Sequence, residues 1–185
     1  MAETTKPTRD FYKILIVSPP GKGKTFSFRN MDPDTFGLIN IENKPLPFKN
    51  TLKHHVRPTS RVEAFNALVD MAKNPEIKAI GIDSFSAYLD IVLAEARQTQ
   101  KGLEGSMEKR AKVKGKEWEG IVEKEFTIVL FGDNKFLENG KPEYFFKLVE
   151  EGTSAKCPPD IFGEGVYKIP NDVKLIVDKI HEFVK

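Results

Sequence analysis

Eight residues constrain this chain more than any other stretch: Ser18-Pro19-Pro20-Gly21-Lys22-Gly23-Lys24-Thr25. They follow the continuous apolar run Lys13-Ile14-Leu15-Ile16-Val17, which reads as a strand buried on both faces. The next apolar spacing begins near Thr25 and predicts a helix. Strand, glycine-containing loop and helix, in that order, frame a phosphate-binding loop, whose pattern specifies a first glycine and a final Gly-Lys-Ser/Thr. The final three positions are met by Gly23, Lys24 and Thr25, while Ser18 replaces the first glycine. Gly21 and Gly23 let the backbone turn its amides toward a phosphate, and the helix N-terminus adds partial positive charge. Lys24 then reaches the β- and γ-oxygens, and Thr25 supplies a hydroxyl to magnesium. Pro20, Gly21, Lys22, Gly23, Lys24, Thr25 and Phe26 are the expected nucleotide contacts. The plain alternative is a glycine turn that precedes a lysine by chance.

Further along, strands and helices alternate. Phe36 to Ile41 reads as a second strand closed by Glu42-Asn43-Lys44-Pro45, and Leu52 to Val56 as a short third one. Ser60-Arg61-Val62-Glu63 has capping-box spacing, and Val62, Phe65, Leu68, Val69 and Ala72 mark one helical face before Asn74-Pro75. Ile77 to Ile82 is a buried-type strand ended by Asp83-Ser84, with a helix after it marked by Tyr88, Leu89, Val92, Leu93 and Ala96. Glu125 to Phe131 is another strand, and two short apolar runs around Asn139-Gly140 predict a β-hairpin. Asn171 or Asp172 caps a last helix with the stripe Val173, Ile176, Val177, Ile180 and Phe183. This order predicts an α/β, three-layer fold with a mostly parallel central sheet, a C-terminal hairpin or meander and a terminal helix.

Two carboxylates sit where such a sheet collects ligands, at the carboxyl ends of its strands. Asp83 is placed to hold the magnesium shell with Thr25, or else to cap the helix that starts near Ser84. Glu42 either orients and deprotonates the water that attacks a γ-phosphate or is a solvated turn residue.

Composition bounds the remaining choices. The chain has 185 residues, 39% of them hydrophobic, which predicts one domain over 13–185 after a loose lead-in at 1–12. With 29 basic and 27 acidic residues, the net charge of +2 gives no global field for a polyanion, so any nucleic-acid site is local. The single cysteine, Cys157, excludes an internal disulfide, and with His54, His55 and His181 it is too sparse for a structural zinc cluster. Cys157 reads as a plain thiol, and the two adjacent histidines as surface or strand-edge residues. Neither a leader nor a membrane-spanning run is visible, which fits a reducing, cytoplasmic setting without membrane partners.

Taken together, Lys13 to Thr25, Leu38-Ile-Asn-Ile-Glu-Asn-Lys-Pro-Leu-Pro-Phe48, Ile80-Gly-Ile-Asp-Ser84 and the tail Thr153-Ser-Ala-Lys-Cys-Pro-Pro-Asp-Ile-Phe162 resemble phage-encoded RecA-like P-loop ATPases. That group includes short RecA-core proteins of single-strand annealing and recombination. The resemblance implies ATP and Mg2+ as ligands, ATP hydrolysis with Glu42 as the catalytic glutamate, single-stranded DNA as a partner, and a homo-oligomeric ring or filament in the host cytoplasm. It further implies that a basic residue of a neighbouring subunit touches the γ-phosphate, a place matched best by Lys114 and Lys116 in the cluster Lys109, Arg110, Lys112, Lys114, Lys116. The same cluster reads equally as a solvated loop, or as a DNA contact beside Trp118.

The sequence departs from the RecA pattern in one respect. RecA-type sheets carry an additional strand between the loop-bearing strand and the aspartate strand, and no apolar run between Gly102 and Glu125 supplies it. Either a segment of about 40 residues, one helix and strand, is missing near 102–103, or the chain is of the kinase type, in which the two strands are direct neighbours. The first is the expectation; the rival functions are a small-molecule or nucleotide kinase and a nucleotide-gated assembly protein.

Overall fold

The computed structural model describes residues 12–101, 123–153 and 155–184. Their contacts gather into two compact units. The first holds the described residues up to Lys24 and those from Glu123 onward; the second begins at Thr25. The class is α/β, with seven strands and four α-helices among the described residues. The strands form two sheets rather than one. Among the described residues no helix is long and apolar enough to cross a membrane.

In the first unit, β1 (Ile14–Val17) lies parallel to β5 (Ile128–Phe136), with Ile14 opposite Ile128 and Val17 opposite Phe131. β5 turns through Asn139-Gly140, where Gly140 takes φ 76°, into antiparallel β6 (Pro142–Lys147), as the hairpin signal predicts. β7 (Lys168–Pro170) adds to β6, giving the order β1-β5-β6-β7. A short helix α3 (Pro159–Phe162) precedes it, and α4 (Val173–Phe183) follows. Asp172 caps α4 by accepting from the Lys174 amide, and its apolar stripe buries Val173, Ile176 and Ile180. Ile128, Val129, Leu130, Phe146 and Ile169 are buried on the sheet. All four residues of β1 are half-buried, so it is less enclosed than its apolar run suggests.

The second unit is an all-parallel sheet in the order β3-β2-β4. β2 (Phe36–Asn40) is its centre and every residue of it is buried, as a strand covered on both faces requires. β3 (His54–Val56) is one edge, and β4 (Ala79–Asp83) pairs with β2 so that Asn40 stands opposite Asp83. Between them α1 (Arg61–Lys73) starts at Ser60, whose side chain accepts from the Glu63 amide, and stops at Asn74 before Pro75. Its packed face is Ala64, Ala67, Leu68 and Met71, which shares only Leu68 with the expected stripe, since Val62 and Phe65 are 57% and 60% exposed. α2 (Phe85–Lys101) follows β4 and turns Ala87, Tyr88 and Ile91 to the same core.

Beyond the loop, the expected helix is a single 3-10 turn, Thr25–Phe28. The chain leaves it through bonds from the Arg29 amide to the Phe26 carbonyl and from the Met31 amide to the Phe28 carbonyl. Asp32-Pro33 follows at once, and a residue before proline is driven out of helical geometry. The junction at 102–103 lies outside the described residues. Among the described residues, β1 is the last strand of the first sheet and β4 the last strand of the second.

Candidate functional site

In the first unit the loop is shaped by its glycines. Gly21 and Gly23 take φ 78° and 82°, a region where a side chain would be strained. Gly23 also lies against Tyr144: a Cβ there would stand 3.0 Å from the Tyr144 ring. Ser18, the departure from the loop pattern, is accommodated from the other side. A Cβ on Gly132 of β5 would meet the Ser18 Cβ at 3.0 Å, so the missing loop glycine is offset by a glycine on the neighbouring strand.

The two loop lysines have different partners. Lys24 Nζ donates to the Ser18 carbonyl at 2.7 Å and lies 3.3 Å from Ser18 Oγ, so its ammonium curls over the loop's own backbone. Lys22 Nζ instead donates to Asp133 Oδ1 at 2.8 Å and Asn134 Oδ1 at 2.6 Å. Asp133 Oδ2 lies 3.5 Å from Lys147 Nζ, which also pairs with Glu150. Lys22 beside it, and the Asn134 amide, hold the Asp133 carboxyl below its ordinary value. None of Gly132, Asp133 and Asn134 was expected from sequence, because Gly-Asp-Asn reads as a turn and the strand was expected to stop at Phe131.

In the second unit, parallel pairing brings the ends of β2 and β4 together. The amides of Ile41 and Glu42 both donate to the Asp83 carbonyl, at 2.7 and 3.3 Å. The chain then turns through Asn43, at φ 57°, a left-handed conformation that asparagine tolerates better than most residues. Asn40 Nδ2 closes the turn on the Lys44 carbonyl at 2.8 Å. Here the side chains are acidic or hydroxylic. Thr25 Oγ1 donates to Asp83 Oδ2 at 2.7 Å, and Asp83 is 7% exposed. Ser84, joined to Asp83 by a cis peptide bond, donates from Oγ to Glu42 Oε1 at 3.1 Å. Lys44 Nζ donates to Glu42 Oε2 at 2.6 Å, and that bond raises the lysine above its ordinary pKa. Thr25, Asn40, Glu42, Lys44, Pro45 and Asp83 line a cleft of about 280 Å3.

The cleft thus unites three of the expected residues, Thr25, Glu42 and Asp83. Its oxygen donors suit a hard divalent cation, since magnesium is held by one or two protein oxygens together with phosphates and water. Phe26 lies under the Arg29 guanidinium, 4.4 Å from its ring centroid. Lys114 and Lys116 lie outside the described residues, as does the rest of their basic cluster and Trp118. His55, on the edge strand β3, contacts Asn50 at 2.9 Å through Nδ1, and burial followed by the Arg57 charge lowers its pKa. Cys157 is pushed up to about 11 by burial, which suits a plain thiol. The chain matches no protein-family model, no curated protein and no solved structure.

Proposed function

We propose that this protein is a RecA-like ATPase that binds ATP and Mg2+, hydrolyses the γ-phosphate and acts with single-stranded DNA in recombination or annealing. The observation that carries the reading is the cleft in which the Thr25 hydroxyl pairs with Asp83 while Glu42 stands on the adjacent strand end. Thr25 directly follows Lys24 in the chain, so the loop that supplies amides and a lysine leads straight into the hydroxyl. With only one 3-10 turn after the loop, the helix dipole contributes little and the amides and Lys24 carry most of the phosphate binding.

In this reading Glu42 takes a proton from water as its oxygen bonds to the γ-phosphorus and the bond to the bridging β-oxygen breaks, giving ADP and phosphate. Lys24 leaves the Ser18 carbonyl to neutralise charge on the phosphates. Thr25 and Asp83 would hold magnesium. The metal, when bound, supplies neutralisation of phosphate charge. The DNA role and the oligomer rest on the family resemblance, with Lys114 and Lys116 as the residues offered to a neighbour's nucleotide.

ATP hydrolysis measured with and without single-stranded DNA tests the reading, paired with mass determination in each nucleotide state. Hydrolysis stimulated by DNA, and loss of that stimulation on neutralising Lys114 and Lys116, is the expected result. If single-stranded DNA neither binds nor stimulates, the recombination role fails, and phosphate transfer to a small acceptor becomes the activity to screen.

A further inference from the structure

Lys22 occupies an unusual place for a basic residue in a phosphate-binding loop. It is the one side chain between two left-handed glycines, and its ammonium is directed to β5 by bonds to Asp133 and Asn134. Its charge is matched within a set of two lysines and two acids: Lys22 and Lys147 against Asp133 and Glu150. The Asn134 amide donates to Asp133 Oδ1 at 2.8 Å, which fixes the carboxylate that receives Lys22. Beside this set, Gly132 admits Ser18 and the Lys22 carbonyl, the latter 3.7 Å from where a Cβ would be. β5 therefore holds the loop at two points, one steric and one ionic.

Glycines on both sides of Lys22 would otherwise leave the loop free to sample many conformations, and ordering it would weaken binding of any ligand that needs one of them. We infer that Lys22 is an anchor rather than a phosphate ligand, and that Asp133 and Asn134 are positioning residues which preset the loop's amides for a nucleoside triphosphate. The inference rests on the nucleotide reading above and adds to it the strand that organises the loop. Lys24 carries the charge offered to phosphate, and Lys22 spends its charge on the fold.

Competitive amine labelling, read by mass spectrometry, tests the anchor without nucleotide. The labelling rate of Lys22, taken against Lys141 as internal reference, is expected to rise about fivefold in Asp133→Asn, because the amine is released from its carboxylate. Titration of MgATP then tests the positioning role. Asp133→Asn and Lys22→Met should each weaken binding about tenfold, the double variant no more than the weaker-binding single, and Lys22→Arg should bind within about threefold of the parent. In hydrolysis assays the loss should fall on KM rather than kcat. Unchanged Lys22 labelling overturns the anchor; raised labelling with unchanged MgATP affinity, or additive losses in the double variant, overturns the positioning role. If the parent and Lys24→Ala both fail to bind MgATP, the nucleotide reading fails and takes the positioning role with it, while labelling still decides the anchor.

Discussion

The unit built on β1 and the unit built on β2 assemble their polar groups in opposite ways. In the first, the loop residues are neighbours in sequence, and long-range partners from β5 hold them in place. In the second, the reactive groups come from separate segments, Thr25, Glu42 and Asp83, and parallel pairing of β2 with β4 brings two of the three together. Parallel strands point their carboxyl ends the same way, so one register places Asn40 opposite Asp83 and sets Glu42 just beyond. Charge differs too: the first unit's loop carries Lys24, with Lys22 paired to Asp133, and the second unit's cleft gathers carboxylates and hydroxyls with Lys44 on Glu42. In the proposed reading the loop holds a phosphate and the strand ends activate water.

That division predicts that binding and turnover separate by mutation. Glu42→Gln should lower kcat about 1000-fold while leaving MgATP affinity within about threefold, since an amide cannot take the proton. Lys24→Ala should weaken MgATP binding about 100-fold, the loss of a charge-assisted contact to phosphate. Calorimetric titration and steady-state hydrolysis of both variants check this. If Glu42→Gln turned over normally, Glu42 would leave the mechanism, and if it lost binding as fully as Lys24→Ala, the contrast between the two regions would collapse.

A second comparison concerns the two cores. Leu38 in β2 and Ile176 in α4 are both fully buried. Leu38→Ala and Ile176→Ala should each cost about 3 kcal/mol, a cavity in a close-packed interior. Urea unfolding of the two variants measures it. A loss below about 1 kcal/mol at either site would mark that core as loosely packed and the two units as unequal in stability.

What could be read from sequence followed the same line between local and long-range information. β2 and α4 were legible because a continuous apolar run and a helical stripe report burial directly; β4 was expected to be buried too, but as an edge strand it leaves Ile80 half-buried and Ile82 44% exposed. The Asn139-Gly140 hairpin was legible because its turn chemistry is local. α3 and β7 were missed, being four and three residues long, too short to show a period. The face of α1 was misplaced because size, not hydrophobicity, decides it: Ala64 and Ala67 let the helix approach the sheet, while Phe65 stays exposed. At the site, Thr25, Glu42 and Asp83 were found by their positions at strand ends and in a motif. Asp133 and Asn134 were not, because their meaning depends on the parallel pairing of β1 with β5, which no local pattern encodes.

The smallest effect separates the acids of the two units by pH. In the first unit Asp133 has its pKa lowered from 3.8 chiefly by the Lys22 hydrogen bond, so its stabilisation is present above that value and is lost as pH falls through the lower folded value. In the second, Glu63 and Glu95 are lowered from 4.5 by bonds from Thr59 and Arg61. Asp133 is one-third exposed, so solvent screening keeps its share below about 1 kcal/mol. Asp133→Asn should therefore melt slightly below the parent at pH 7, with the difference shrinking once pH drops beneath the ordinary aspartate value, where the unfolded parent's carboxylate protonates before the folded one. Glu95→Gln should likewise lose its difference as pH falls below the ordinary glutamate value, since its carboxylate is lowered by the bonds from Arg61. Thermal melts of the two variants and the parent between pH 3 and 7 measure both. A difference for Asp133→Asn that stays constant down to pH 3 would mean that the Lys22 pair contributes nothing to stability and that its role in the loop is positional alone.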